Sequence, residues 1–347
     1  VWPKSAQVAL LTGRLPMDVG TAQLDKKPNQ RRLPQEVETL AERFVAGGYH
    51  TLGVTSSHYL NGRFSMRQGF DWYREATANS LAPEARVGSR AVVQAALQGV
   101  KGRKDKDRPV YLQLTFSDTH KPFRIPPEEF KAFDGEDHNI SPYRAMLHRQ
   151  DDSLKALVQG LEKMGIDDTN TVFVFVGEHG EGLGLPPAHR KQHGRVLYAS
   201  SVSIPWVMWG KGLGKGATVR GLASQIDLAP TLLSHVDLPA EGMRGMSHHG
   251  VLAAGGETRR KLHYADTTFE GTHRASMWSG THQCQKDYGS DAVDDEVFET
   301  GCFDRLADPE FSSVGEGPLM ADLDKLHSEL LVAQKAAEAR AAEAAEQ

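Results

Sequence analysis

The chain has few cysteines, no long apolar run and no long basic run, and each shortage excludes a class of protein. Its two cysteines, Cys284 and Cys302, cannot form a CxxC redox pair or a zinc knuckle. No run approaches the roughly eighteen consecutive apolar residues of a membrane-spanning helix, so no transmembrane span is predicted. A formal charge of −5 without a basic run leaves no electrostatic footprint for nucleic acid. The composition is that of a globular protein.

Two further features bear on the cellular compartment, which the sequence leaves open. The first residues lack a charged segment followed by an apolar segment, so no signal peptide is predicted in this chain. The two cysteines could form a disulfide if they flank a hairpin, which would favour an oxidising compartment. They could equally be two buried thiols.

Residues 171–182 join a buried strand to a cluster of ionisable side chains. Residues 171–176 are uncharged and rich in Val and Phe, which is typical of a parallel strand buried on both faces. The run ends at Gly177, and Glu178, His179 and Glu181 follow, all of which could bind a metal ion or move a proton. Ligands of open α/β sheets collect at the carboxyl ends of strands. A solvated loop after a core strand is the alternative.

Helical and strand patterns alternate through residues 36–236. Helices are predicted at 8–13, 33–48, 89–100, 143–164 and 224–236, the last broken near Pro230, and strands at 49–55, 109–116, 171–176 and 204–209. Residues 56–87 are predicted to be loop-like, with an aromatic cluster at residues 68–73. This alternation predicts an α/β fold, with a mostly parallel sheet and helices on both faces.

The pattern changes after about residue 255. Residues 1–255 are predicted to form the α/β domain, and residues 256–333 a small C-terminal antiparallel subdomain with a helix at 318–333. Its short β-type runs are 261–266, 274–278 and 296–304. The Ala/Glu-rich tail, 334–347, is predicted to be helical, exposed and frayed because it has no large apolar residue.

Three separated clusters combine imidazole with carboxylate or ammonium groups. They are Asp118 with His120 and Lys121, Glu178 with His179, and His189 with Lys191 and His193. Carboxylate and imidazole groups can hold a divalent metal ion, and His and Lys side chains can hold a tetrahedral anion. Taken singly, each histidine is more often a hydrogen-bonded structural residue.

The order of these clusters resembles the sulfatase branch of the alkaline phosphatase superfamily, over nearly the whole chain. The resembling segments are residues 10–16, 39–51, 68–71, 118–123, 143–152, 177–184, 192–205, 226–233 and 302–310. The first resembles the segment just after the family's nucleophile. Residues 177–184 stand in the place of the family's Asp-His-Gly-Glu metal motif. The resemblance implies an alkaline phosphatase/sulfatase-like α/β fold.

The resemblance also implies an activity, which is hydrolysis of sulfate esters, or of phosphate esters in related branches. It implies a divalent cation, usually Ca²⁺, and a small sulfated or phosphorylated substrate, and it favours an extracytoplasmic location. By position, Glu178 and His179 are expected to bind the metal ion. His120 and His193 are the expected catalytic residues, and Lys121 and Lys191 are expected to bind the substrate.

Departures from the family pattern support a second hypothesis. The nucleophile position falls on Pro3, which cannot be a nucleophile, and the following Arg position falls on Gln7. A shifted register would offer Ser5 instead. Glu178 replaces the usual Asp, and the strand that carries the family's Asp-Asp pair would lie before Val1. The chain is therefore either a working metal-dependent hydrolase or a non-catalytic relative that binds a sulfated or phosphorylated ligand or serves as a structural subunit.

Overall fold

A computed structural model describes most of the chain. The described residues are 2–22, 24, 31–76, 88–121, 123, 140–183, 193–268, 273–289, 298, 300–305, 315, 317 and 319–346. They form two compact units, a small unit (Thr39–Phe173) and a large unit (Val1–Glu38 with Val174–Gln347). No helix in this described part is long and apolar enough to cross a membrane. The predicted domain boundaries at residues 255 and 333 stay predictions.

The described residues form seven α-helices and eleven strands. The α-helices are α1 (Pro3–Thr12), α2 (Leu40–Ala46), α3 (Ser89–Gly102), α4 (Ser141–Glu162), α5 (Ala199–Val202), α6 (Leu228–His235) and α7 (Met320–Glu346). The strands are β1 (His50–Thr55), β2 (Trp72–Glu75), β3 (Val110–Thr115), β4 (Val172–Val176), β5 (Trp206–Gly210), β6 (Val219–Arg220), β7 (Gly256–Glu257), β8 (His263–Thr267), β9 (Arg274–Trp278), β10 (His282–Asp287) and β11 (Gly301–Asp304).

A parallel sheet with helices on both faces forms the small unit. Its strand order is β2–β1–β3, and β1 pairs in parallel with both neighbours. Leu112 of β3 packs in the core that α3 and α4 share with the sheet. The adjacent Tyr111 stacks on Phe44 of α2, with ring centroids 4.3 Å apart. Because successive side chains of a strand point to opposite faces, the helices lie on both faces, and the predicted α/β class is confirmed.

A four-stranded antiparallel sheet, in the order β11–β10–β9–β8, is the largest sheet of the large unit. It packs with α1, α7 and the segment after α1 around one apolar core. Strand β10 had not been predicted because polar residues dominate its sequence. It pairs with β11 so that Cys284 lies opposite Cys302, and the two form a disulfide. This decides between the two states that the sequence left open.

Several secondary-structure predictions were wrong in detail, and the helix predicted at 33–48 begins only at Leu40. Residues 72–75, assigned to a loop, form strand β2 and pair with β1, although Phe70 does pack on Tyr73 at 5.2 Å as the predicted aromatic cluster required. Pro230 does not break its helix. Since α6 begins at Leu228, the proline stands in the first turn, where its missing N–H has no intrahelical partner to lose. The irregular turn lies earlier, at Gln225–Asp227.

The prediction of an exposed tail was wrong for its first turns. Helix α7 continues from Met320 through Glu346, and Gln334 and Ala337 are buried. The Gln334 amide donates to the Ala22 carbonyl at 3.1 Å, and Glu338 pairs with Arg31 at 2.7 Å. Small residues make this close approach possible, because the position where a Cβ would stand on Gly20 lies 2.7 Å from the Ala337 Cβ. The absence of large apolar residues thus reflects tight packing.

A buried histidine anchors α7 to the antiparallel sheet. His327 is 1% exposed, stacks on Tyr288 with ring centroids 3.7 Å apart, and shares a 3.1 Å hydrogen bond with the Tyr264 hydroxyl. The His273 ring lies 4.7 Å away, and Lys286 and Tyr288 both bond to Asp324. Burial, with the charge of His273 in support, lowers the pKa of His327 to about 4. The folded protein therefore holds this imidazole neutral.

We expect His327 to lower the stability of the protein as the pH falls from 7 to 5, a contribution given by the difference in pH dependence between the wild type and His327→Gln. The unfolded chain protonates His327 near its ordinary pKa of about 6.5, whereas the folded chain resists protonation down to about 4. The unfolded state then binds more protons, so acidification lowers the free energy of unfolding, by about 2 kcal/mol over this interval. Urea titrations at both pH values measure this loss. His327→Gln should flatten the dependence, and an unchanged slope would contradict the assignment.

Candidate active site

The backbone of the turn after β4 bonds to α5 and to the residue just before β5. The Gly177 N–H donates to the Pro205 carbonyl at 2.9 Å, and the Gly180 N–H donates to the Ser201 carbonyl at 2.9 Å. A side chain on Gly180 is excluded, because its Cβ would stand 2.0 Å from the Ser200 carbonyl oxygen. Glycine at this position therefore fixes how Glu178, His179 and Glu181 project from the turn.

Glu178 carries a buried carboxylate that is only half satisfied. Its Oε1 is buried and accepts no hydrogen bond from the described residues. Burial raises the pKa of Glu178 to about 7, against the opposing effect of a hydrogen bond from the Gln7 side chain. Gln7 belongs to α1 and occupies the position where the family resemblance expects Arg. An unpartnered buried carboxylate oxygen favours a cation or a proton as its missing partner.

His179 and His193 stack on one another, with ring centroids 4.2 Å apart. The His179 Nδ1 lies 2.9 Å from the Gly180 carbonyl, which can only accept, so Nδ1 carries the proton. The His193 Nδ1 lies 3.1 Å from Glu181 Oε2, and both side chains are 3% exposed. With the carboxylate ionised, His193 donates from Nδ1. Each neutral ring then keeps the lone pair on Nε2, the state suited to bind a metal or accept a proton.

Side chains of the antiparallel sheet fix the segment that carries His193. Arg274 donates to the Arg195 carbonyl at 2.8 Å, and Gln283 donates to the Leu197 carbonyl at 2.9 Å. The Thr267 hydroxyl bonds to the Gly194 carbonyl. Strands β8, β9 and β10 therefore each contribute one hydrogen bond to the backbone just after His193.

The start of α1 lies next to His193. The Trp2 ring lies 6.1 Å from the His193 ring, and Pro3 is buried at the first helical position. Lys4 is 1% exposed and donates to the Arg31 carbonyl at 2.6 Å. Burial, with Arg31 in support, lowers the pKa of Lys4 to about 7. Sequence reasoning missed Lys4, because a lysine in a first helical turn is ordinarily solvated and no pattern indicated otherwise.

A cavity of about 640 Å³ in the large unit has Glu178 and His179 in its wall. Ser5 also lines it, as do Trp206 and Met208 of β5 and His263 of β8. This volume falls within the roughly 300–1,000 Å³ range of small-molecule sites. The carboxylate and imidazole after β4 therefore face a space large enough for a small organic molecule.

The small unit carries the two other described residues of the predicted site, His120 and Lys121, just after β3. The His120 Nδ1 lies 2.7 Å from the Lys121 carbonyl, which gives this ring the same tautomer as His179. Asp118 does not present its carboxylate to a ligand. It caps α3, accepting from the Ser89 N–H at 2.8 Å and from the Ser89 hydroxyl at 3.1 Å. Lys191 and His189 lie outside the described residues.

Known proteins similar to this chain point to one family. The Sulfatase family model matches residues 6–238. A low-salt glycan biosynthesis sulfotransferase, Agl7, of Haloferax volcanii is 38% identical over 82 residues, covering 23% of this chain and 20% of that protein. Human arylsulfatase K is 26% identical over 121 residues, covering 35% of this chain and 22% of its own length.

Solved structures of similar fold cover nearly the whole chain. The structure of BT4656 in complex with its substrate D-glucosamine-2-N,6-O-disulfate has a TM-score of 0.71 and 16% identity, covering 96% of this chain and 88% of that one. This likeness shows the fold. The matches to the curated relatives span only about a fifth of those proteins, whereas the family model covers more than half of this chain. The chain belongs to the sulfatase family.

Proposed function

We propose that the protein binds sulfate esters, or the related phosphate esters, with the help of a divalent cation and hydrolyses them. The carrying observation is the buried Oε1 of Glu178, which has no hydrogen-bond partner among the described residues and belongs to a residue that lines a cavity together with His179. Family membership supports this activity, as do relatives named as sulfatases. The sulfated sugar bound by BT4656 illustrates the size of the substrate that we propose.

The donor set fits a divalent cation. Glu178 offers an oxygen that no described residue bonds to, and His179 offers Nε2 because its Nδ1 proton is engaged by the Gly180 carbonyl. We propose these two residues as metal ligands. The bound cation would neutralise and orient the ester anion. We propose Ca²⁺ because carboxylate oxygen is its preferred ligand and because its flexible shell tolerates a Glu where the family usually has Asp.

His193 is proposed as the proton-transfer residue. Its Nδ1 is engaged by Glu181, so Nε2 can accept a proton and, once protonated, can donate one to the leaving oxygen of the ester. Glu181 acts as a positioning residue that holds the tautomer. His120, whose Nε2 is likewise the basic nitrogen, is proposed as a second donor to the substrate. Lys121 and Lys191 are proposed to bind the substrate anion.

Binding without turnover is the second candidate function, and the proline at the expected nucleophile position, Pro3, favours it. Pro3 starts α1 and is buried, and its side chain has no nucleophilic atom. The residue that a shifted register would use, Ser5, lines the same cavity as Glu178 and His179. Ser5 is therefore the hydroxyl to test as an alternative nucleophile.

Hydrolysis of p-nitrophenyl sulfate and p-nitrophenyl phosphate, with Ca²⁺, Mg²⁺, Mn²⁺ or EDTA, tests the proposal. We expect turnover that requires a divalent ion and falls at least about 100-fold in His193→Gln, as general acid–base groups commonly contribute. His282→Gln changes a partly buried histidine that bonds to Thr281 at 2.8 Å, and it should retain full activity. Loss of turnover in Ser5→Ala would assign the nucleophile.

The two candidates separate when turnover is absent. If sulfate with Ca²⁺ raises the melting temperature of the wild type but not of His193→Gln, the site binds its ligand without reaction. If neither turnover nor stabilisation is seen with any of the three ions, both candidates are wrong.

A further inference from the structure

Two histidines of the large unit direct ring nitrogens at each other near the surface. His235 is the last residue of α6, and His249 begins the 3-10 turn His249–Val251. Their Nδ1 atoms lie 3.2 Å apart, and the rings meet edge to face, with centroids separated by 5.2 Å. His249 is exposed and His235 partly buried. Neither lines the cavity that holds Glu178 and His179.

The hydrogen bonds of His235 determine what its Nδ1 offers. Its Nε2 lies 2.9 Å from the Lys211 carbonyl, which can only accept, so Nε2 carries the proton. The Nδ1 of a neutral His235 therefore holds a lone pair directed at His249. A single proton, carried on the Nδ1 of His249, can bridge the two rings. A metal ion between the rings would replace that proton.

The separation of the two nitrogens fits joint coordination. Zinc–imidazole bonds of about 2.0–2.1 Å place two ligand nitrogens about 3.3 Å apart in tetrahedral geometry and about 2.9 Å apart at right angles. The observed 3.2 Å lies between these values. A backbone carbonyl that accepts the second ring N–H of His235 is also the usual support of a metal-bound histidine. The carboxyl end of α6 further favours positive charge.

We propose that His235 and His249 form a peripheral site for a transition-metal ion, Cu²⁺, Ni²⁺ or Zn²⁺, whose remaining ligands are water. A pair of imidazole nitrogens without a carboxylate suits these ions and does not suit Ca²⁺ or Mg²⁺, whose preferred ligand, oxygen, neither side chain supplies. The affinity order follows the general preference of nitrogen sites, with Cu²⁺ binding most tightly. The ion ties the end of α6 to the turn at residue 249, next to His248, which bonds to Asp227 of the preceding turn at 2.9 Å.

Calorimetric titration with Cu²⁺, Ni²⁺ and Zn²⁺, in buffer that contains Ca²⁺, tests the site. His249→Gln removes one ligand from an exposed position, so folding should be unaffected. We expect this variant to lose one bound equivalent, or at least about tenfold in affinity for it, together with the melting-temperature increase that the ion gives the wild type. The matched control is His148→Gln, whose side chain is 69% exposed and 3.7 Å from Asp152, and it should bind as the wild type does.

Spectroscopy identifies the ligands directly. The electron paramagnetic resonance spectrum of one Cu²⁺ equivalent should show nitrogen coupling in the wild type that His249→Gln reduces. Equal stoichiometry and affinity in the wild type and His249→Gln, or an equal loss in His148→Gln, would overturn the proposal. Neither the titration nor the spectrum depends on ester hydrolysis, so these experiments test the site independently of the proposed function.

Discussion

Replacing Asp227 by alanine is expected to lower the free energy of unfolding by about 3–5 kcal/mol, the usual cost of removing one partner from a buried ion pair. The Asp227 side chain is 0% exposed and faces Arg260, which is itself 12% exposed. It accepts from Arg260 Nε at 2.6 Å and from His248 Nε2 at 2.9 Å. The backbone N–H groups of Ser224 and Met246 also donate to it, each at 2.9 Å.

The carboxylate is strongly held in its charged form. Burial opposes its ionisation, but the hydrogen bonds from His248 and Arg260 and the charge of Arg260 outweigh burial and hold the pKa of Asp227 at about 2. Removing it leaves the Arg260 guanidinium without its buried partner and two backbone donors unsatisfied. The carboxylate joins the turn before α6 to the segments around residues 246 and 260. We therefore expect the loss to appear as a lower midpoint in urea denaturation.

An exposed ion pair provides the matched control. Glu257 and Lys261 are 3.8 Å apart with side chains 73% and 79% exposed, so Glu257→Ala should change stability by less than about 1 kcal/mol. Asp227→Asn keeps the shape and can still accept hydrogen bonds, and it should fall between the two. If Asp227→Ala is as stable as Glu257→Ala, the buried network around Asp227 does not stabilise the fold.

Local sequence predicted much of what positions the candidate site. The apolar run before Gly177 predicted β4, and the turn that carries Glu178 and His179 follows where the strand ends. The helix predicted to stop at Gly13 does so, with a left-handed residue (φ 62°) that glycine adopts at low cost. Both features depend on a few consecutive residues. Such local patterns can be recognised without knowing how the rest of the chain folds.

The partners within the site could not be predicted, because they come from distant parts of the chain. Glu181 was named only as a possible ligand, and its pairing with His193 depends on a segment twelve residues further on. That segment is held by Arg274 and Gln283, which are 79 and 86 residues away from the carbonyls they bind. Nothing in the local sequence of β9 or β10 indicates this role. Tertiary packing alone creates it.

Replacing Glu178 by glutamine is expected to abolish the stabilisation that Ca²⁺ gives the protein, without lowering the stability of the metal-free protein. If Glu178 is a metal ligand, Ca²⁺ at 100 times its dissociation constant stabilises the wild type by about 2.7 kcal/mol, and the variant loses this gain. Any metal-dependent ester hydrolysis should be lost with it. In EDTA the variant should be at least as stable as the wild type, because a neutral amide replaces a buried carboxylate whose Oε1 accepts no hydrogen bond from the described residues.

Loss of the Ca²⁺ effect without loss of metal-free stability distinguishes a metal-binding carboxylate from a structural one. A structural Glu178, held by Gln7, would make the glutamine variant less stable with and without Ca²⁺. Glu257→Gln, at an exposed position, should match the wild type in both conditions. Thermal unfolding in Ca²⁺ and in EDTA measures all three proteins. A Glu178→Gln protein that Ca²⁺ stabilises as much as it does the wild type would remove Glu178 from the metal site, leaving its raised pKa as a consequence of burial alone.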